Sequence, residues 1–260
     1  MNPHTAPNLA GSKLGYIWLQ PGVSRLNGVT LLYVLFVSIG LLVFLNFQQP
    51  YVLEVMLGIP ADRHGRVVGQ MALVHELVLI GMVGPFGAMA DRIGRRKVLA
   101  MGYIILAVGY MAYPYATSVT MLTFYRGIFA CGAAAIIATF TTVMTDYPQD
   151  ISRGKLVALG SILNALGLTL LAVIGGQATR WLTEAGISPV GAGRIAIVAV
   201  GFVGFVSAAV VMYGLRGEKL RNEHERLPLG QLVREGFAAA RNPRIALAYA
   251  AALVARGDVV

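Results

Sequence analysis

His75 and Glu76 stand side by side in the run "MALVHELVLIGMVG", and Arg126 stands alone in "LTFYRGIFACGAAA". An imidazole beside a carboxylate is a protonatable pair, and an isolated arginine in apolar surroundings demands a partner. Amides accompany them. Asn46, Gln48 and Gln49 close one apolar run, and Asn164 lies in the middle of another. Side chains of these types can bind a solute, carry a proton or pair with each other. They do not form a catalytic set. "HELVL" begins like a zinc-protease helix, but Leu79 occupies the place of the second histidine, so the metal loses a ligand. "GAGRIA" from Gly191 has dinucleotide-loop spacing, yet no strand precedes it and a helix with small residues explains it. Cys131 is the single cysteine, which removes a disulfide framework and a cysteine-based zinc site. No enzyme activity, no cofactor and no metal are expected.

The elements that must position these groups are membrane helices. The chain has 260 residues, 57% hydrophobic and only 13% charged, with a mean hydropathy of +0.68. The apolar residues fall in blocks, and about 20 helical residues cross a hydrocarbon core of roughly 30 Å. Seven blocks are expected: Gly28–Phe47, Val67–Ala90, Val98–Tyr115, Val119–Thr145, Leu156–Ala178, Gly193–Leu215 and Arg244–Val260. They are long continuous runs rather than short alternating segments, so helices and not a closed barrel are expected. No removable signal peptide is read in the N-terminal stretch, and the first span is expected to act as its own insertion signal. The seventh block reads as unfinished, so the fold class expected is an all-α membrane protein truncated in span 7.

Charge sets the orientation. Fifteen Lys and Arg residues fall in one alternate set of loops, and only Arg63, Arg66, Arg180 and Arg194 fall in the other. By the positive-inside rule the N-terminus is cytoplasmic. The net charge of +9 is therefore a topology signal, and a nucleic-acid partner is not expected. The segment organisation expected is a cytoplasmic tail 1–27, a six-span unit 28–215, a polar linker 216–243 and a further span start 244–260. After Pro228, Leu229, Leu232, Val233 and Phe237 recur at helical spacing, which suits either a surface helix or a flexible connector.

Depth narrows the candidate contacts. Glu76 lies roughly 15 Å into span 2 from the outer side, at 1.5 Å per residue, and Arg126 about seven residues into span 4 from the same side. A Glu76–Arg126 pair is geometrically open to them, as is a Glu76 turned to a water-filled mouth. Spans 3 and 6 carry no ionisable residue between their ends and read as outer, lipid-facing helices; spans 1, 2, 4 and 5 read as the lining of a polar interior. The candidate solute or proton contacts are Glu76, Arg126, His75, Asn46, Gln49 and Asn164.

The densest charge lies elsewhere, in "GAMADRIGRRKVL" between spans 2 and 3. Asp91 stands at the C-terminal end of one helix, and Arg95, Arg96 and Lys97 at the N-terminal start of the next. Both signs oppose the helix dipoles. Orientation explains the bases but not the acid or the glycines. Gly87, Asp91, Arg92, Gly94, Arg95, Arg96 and Lys97 resemble the loop signature of the major facilitator superfamily, G-x-x-x-D-R/K-x-G-R-R/K. "RGIFACGAAA" is similar to the family's span-4 motif at Arg126, Gly132 and Ala133, with Phe129 and Ala130 in place of the usual Gln and Gly. "TDYPQDISRGK" looks like its 4–5 loop, with Asp146 and Arg153.

The resemblance implies a six-helix N-terminal half built from 3+3 inverted repeats. It also implies a gating latch in which Asp91, Arg95 and Asp146 hold the outward-open state, Asp91 capping a helix of the other half. Gly87 would permit close helix approach and Gly94 a tight turn. The family's drug–proton antiporters carry Gly-Pro before the Gly-Gly pair of span 5; Leu171 and Ala172 precede Gly175-Gly176 here, which argues against that group. The expected function is a secondary transporter of a small solute in the plasma (bacterial inner) membrane, with a C-terminal half of the same chain as partner. Proton coupling and facilitative uniport both stay open. The rival is a sensor or scaffold of the same fold that does not transport.

Overall fold

The computed structural model describes residues 10–217, with Pro243 and Leu247 besides. Six helices long and apolar enough to cross a membrane make up nearly all of that stretch. They are α1 (Arg25–Tyr51), α2 (Ala61–Ile93), α3 (Arg95–Ala112), α4 (Val119–Asp146), α5 (Asp150–Glu184) and α6 (Pro189–Gly214). A π turn, Val52–Met56, extends α1, and a 3-10 turn, Tyr113–Tyr115, extends α3. The linker beyond Gly217, the helix expected after Pro228 and the expected seventh span lie outside the described residues, Pro243 and Leu247 apart.

Most helices overrun the apolar blocks expected of them. α2 begins at Ala61 rather than Val67, and α5 runs from Asp150 to Glu184 rather than from Leu156 to Ala178. Backbone hydrogen bonding does not stop where hydrophobicity stops; caps and turns set the ends. Ser24 accepts from the Asn27 backbone N–H at 3.2 Å while the Asn27 side chain accepts from the Ser24 N–H at 2.8 Å, a reciprocal cap. Ser118 and Ser188 cap α4 and α6 in the simpler way, each at 3.2 Å. Gly94 alone separates α2 from α3. Its φ of +95° is open to glycine and strained for any other residue, so the sharpest turn between two spans depends on it.

Packing follows a repeated scheme. α1 lies on α5 as α4 lies on α2, and α3 and α6 pack together between them. Among membrane helices, small residues set such contacts by letting backbones approach. A Cβ on Gly167 would strike the Phe36 carbonyl of α1, and one on Gly175 would strike the Phe44 ring. On the other side, Gly132 of α4 sits against the Leu106 backbone of α3, and Gly109 of α3 against Phe129. Gly201 and Gly204 do the same for α6 on α3, at Tyr110 and Ala107.

Burial among the six helices differs from span to span. Over its apolar window α3 is 61% buried, against 11% for α2 and for α5. Only Ile104 and Val108 of its large apolar side chains are exposed. A helix wedged between two others has as little use for charge as a helix in lipid, so the absence of ionisable residues cannot separate the two. α2 and α5 turn apolar stripes outward, Leu73, Leu77 and Ile80 on one and Ile162, Leu166, Leu170 and Val173 on the other.

The N-terminal segment, read as a tail from the sequence, is folded from residue 10 on. β1 (Lys13–Leu14) and β2 (Ile17–Trp18) form a small antiparallel hairpin turned by Gly15 at φ +58°. The chain then lies along the α4–α5 loop. Gln20 N–H donates to the Tyr147 carbonyl at 2.9 Å, Gln149 N–H to Trp18 O at 2.8 Å, and Trp18 N–H to Ser152 Oγ at 2.8 Å. Ile17, Leu19 and Val23 are buried beneath it. Arg216 completes the collar, donating its N–H to the Tyr147 hydroxyl at 3.0 Å and a guanidinium N–H to Pro21 O at 3.4 Å.

Candidate functional site

Arg126 is the charged residue most deeply set within the six helices, only 5% exposed, two turns into α4 from its Ser118 cap. Its Nη2 donates to Asn46 Oδ1 of α1. Three residues on, and therefore on the same face of α4, the Phe129 ring lies 5.1 Å below the guanidinium carbon. Nη1 and Nε are buried without a hydrogen-bond partner among the described residues. Asn46 is exposed, so the guanidinium lies just beneath a surface open at α1.

An aromatic shell encloses the charge. Phe129 meets Tyr110 of α3 edge-on at 5.3 Å and His75 of α2 at 5.8 Å, and Tyr110 meets Phe44 of α1 at 6.3 Å. Tyr113, at the far end of α3, is fully buried with its hydroxyl unpartnered among the described residues. Glu76 is half-buried on α2, and no direct ion pair joins it to Arg126 among the described residues. The site therefore draws on four helices and holds one fixed positive charge in an aromatic setting.

Four of the six candidate contacts, Arg126, Asn46, His75 and Glu76, come together here. The other two lie elsewhere. Gln49 is buried and donates to Met71 Sδ at 3.5 Å, which fastens α1 to α2. Asn164 lies on α5, its Oδ1 buried without a hydrogen bond, and no contact joins it to Arg126 among the described residues. Phe129, Tyr110 and Tyr113 were not among the candidates. Phe129 could have been found from its i+3 spacing to Arg126; the tyrosines are brought in only by the packing of α3 on α4.

At the opposite end of the bundle, three of the charges that oppose their own helix dipoles meet other helices. Arg95, opening α3, is ion-paired with Asp146, closing α4. Arg96 reaches the C-terminal end of α6, its Nη1 3.5 Å from the Leu215 carbonyl, where a cation is favourable. Arg153 pairs with Asp150 one turn away at 2.8 Å. Arg92 is half-buried at the end of α2. Asp91 is exposed and makes no ion pair or hydrogen bond among the described residues. A Cβ on Gly87 meets nothing within 4 Å, so no described helix makes the close approach expected there.

The model for the Major Facilitator Superfamily matches residues 39–257, most of the chain. The chain belongs to the Major Facilitator Superfamily. Among curated relatives, the magnetosome protein MamZ of Paramagnetospirillum magneticum is 27% identical over 223 residues, which is 82% of this chain and 33% of MamZ. The methyl viologen resistance protein SmvA of Salmonella typhimurium is 28% identical over 104 residues, 40% of this chain and 21% of SmvA. Solute carrier family 22 member 6 of Mus musculus is 32% identical over 112 residues, 42% of this chain and 21% of the carrier. The chain spans about a third of the length of MamZ. With six membrane-length helices it is an all-α, multi-pass membrane protein of this superfamily.

Proposed function

We propose that the chain forms one six-helix half of a secondary transporter, moving a small solute across the plasma membrane by alternating access. The observation that carries this reading is Arg126: a buried guanidinium, only partly hydrogen-bonded, beside the exposed Asn46 where α1, α2 and α4 meet. Ionisable groups at such depth are costly and belong to function. Membership of a transporter superfamily supports it, as do relatives named for solute carriage and for resistance to small organic compounds. The N-terminus is cytoplasmic, placing the hairpin, the α2–α3 loop and the α4–α5 loop on the inner face. There Arg95 and Asp146, with Asp91 as the third member, form the latch that holds one of the two states. Gly94 shapes its turn, while Gly87, Arg92, Arg96 and Arg153 surround it. His75 and Glu76 are the groups for proton coupling.

Solute counterflow in liposomes containing the protein tests transport, and an imposed pH gradient tests coupling. Saturable exchange is expected, driven by the gradient and uncoupled by Glu76→Gln. Exchange indifferent to both would leave a uniporter. No exchange for any solute, with binding of a partner through the basic segment 216–243, would make the protein a sensor or scaffold instead.

A further inference from the structure

The basic residues at the two ends of the bundle keep different company. At the end away from the hairpin, Arg63 and Arg66 share the start of α2 with Asp62, and Arg180 is paired with Glu184 at 2.8 Å. At the hairpin end, Arg95 has Asp146 and Arg153 has Asp150. Lys13, Arg25 and Arg216 have no such acid. All three are exposed and make no ion pair among the described residues, and the first acidic residue of the sequence is Glu54. They surround the first turn of α1. Leu14 and Leu19 of the hairpin segment lie against Gly28, three residues after Arg25, and the Arg216 guanidinium lies over Gly22, three residues before it. The Asn27 side chain donates to the Gly214 carbonyl at 2.8 Å, which fixes the end of α6 beside the same turn.

Aromatic and apolar side chains accompany these bases. Tyr16 at the hairpin turn and Tyr213 in the last turn of α6 are 86% and 85% exposed, more than any other large apolar or aromatic side chain of residues 10–217. Trp18 is partly exposed, with the Lys13 ammonium 5.4 Å from its ring centroid. Leu26 and Val29 follow Arg25 on α1 and are exposed at the start of that membrane-length helix. Tyrosine and tryptophan gather at the headgroup level of a bilayer, and basic residues there attract anionic lipids. We propose that the hairpin, the start of α1 and the end of α6 form a docking surface for an anionic glycerophospholipid. Lys13, Arg25 and Arg216 meet the headgroup phosphates, Tyr16, Trp18 and Tyr213 the interfacial region, and Leu26 and Val29 the acyl chains. An acidic protein would satisfy the bases but leave Leu26, Val29 and Tyr213 uncovered. Burial of Ile17 and Leu19 and the bond from Trp18 N–H to Ser152 Oγ hold Lys13 and Trp18 in place before lipid arrives, which lowers the ordering cost of binding.

Trp18 and Trp181 are the two tryptophans of the chain, so Trp181→Phe leaves Trp18 as a local reporter. The full chain with that substitution is reconstituted in phosphatidylcholine vesicles containing brominated phosphatidylglycerol or, in parallel, brominated phosphatidylcholine at equal mole fraction. Bromine on a contacting lipid quenches tryptophan fluorescence. Trp18 is expected to be quenched more by the anionic lipid. Each base near an anionic surface contributes about fivefold in affinity, so Lys13→Gln with Arg25→Gln is expected to cut the preference by roughly tenfold or more. Lys13→Arg with Arg25→Lys keeps both charges and is expected to keep the preference. Equal quenching by the two lipids, no quenching by either, or a preference that survives the loss of both charges overturns the proposal. So does a preference lost as fully in the charge-keeping variant, which would make side-chain shape and not charge responsible. None of these outcomes depends on counterflow, so failure of the transporter reading leaves the lipid surface standing.

Discussion

Arg95, in the first turn of α3, is ion-paired with Asp146, the last residue of α4. Each charge stands at the wrong end of its own helix, and each offsets the other. The contact ties the α2–α3 turn at Gly94 to the α4–α5 loop, onto which the N-terminal hairpin is itself strapped one residue later, at Tyr147. Three segments at one end of the bundle are thus joined, two through the Asp146 carboxylate and the third through the backbone of the adjoining Tyr147.

That pair is partly exposed, 23% on Arg95 and 50% on Asp146, so solvent screens it. Asp146→Asn is expected to cost less than about 1 kcal/mol of stability. A contribution of that size still moves a two-state ratio by roughly fivefold, enough to change which face of a transporter is open. The check is a thermal unfolding midpoint beside a counterflow rate. A midpoint nearly unchanged with a clearly altered rate is the expected outcome, whereas severe destabilisation would make the pair a folding element.

The glycine contacts carry a larger load. Gly167 faces the Phe36 carbonyl of α1 so closely that a methyl group has no room without moving one helix. Overpacking of this kind costs about 1–3 kcal/mol or more. Gly167→Ala should lower the unfolding midpoint and the yield of folded protein. Gly87→Ala, with open space at the added Cβ, should leave both as they are.

The hairpin makes a third prediction. Ser152 Oγ accepts the Trp18 N–H at 2.8 Å, and Ser152 itself is fully buried. Removing the acceptor leaves a backbone donor orphaned, at about 1–3 kcal/mol. Ser152→Ala is expected to speed proteolytic cleavage within residues 10–20 while sparing the helices. Limited proteolysis followed by mass measurement reads it. Cleavage unaltered there would mean that the buried side chains of Ile17 and Leu19 hold the hairpin without this bond.

How far the sequence reaches differs by element. Six apolar runs announced six helices, because crossing a bilayer imposes a length and composition that few other structures need. The starts of α1 and α6 were misplaced, since Ser24 and Ser188 set them by hydrogen bonds that hydropathy ignores, while α4 starts at Val119 as expected. Arg126 and Asn46 were visible as polar residues at depth, and Arg95 and Asp146 through the family's loop pattern. Tyr110 and Tyr113 were not, because their place beside Arg126 depends on the Gly109–Phe129 and Gly132–Leu106 contacts between α3 and α4. Nor was the hairpin, whose strands are two residues each and carry too short a pattern to read. Gln49 shows the converse: an amide near a cavity and an amide fastening two helices look alike in sequence.

The central claim is that the Arg126 site is reached alternately from the two sides of the membrane. Asn46, exposed beside Arg126, reports it directly. With Cys131→Ser removing the native thiol, Asn46→Cys can be labelled by a membrane-impermeant maleimide applied from each side in turn. The account predicts labelling from both sides, with Asp146→Asn raising the rate from one face and lowering it from the other. Labelling from one side only, unchanged by Asp146→Asn, would contradict it.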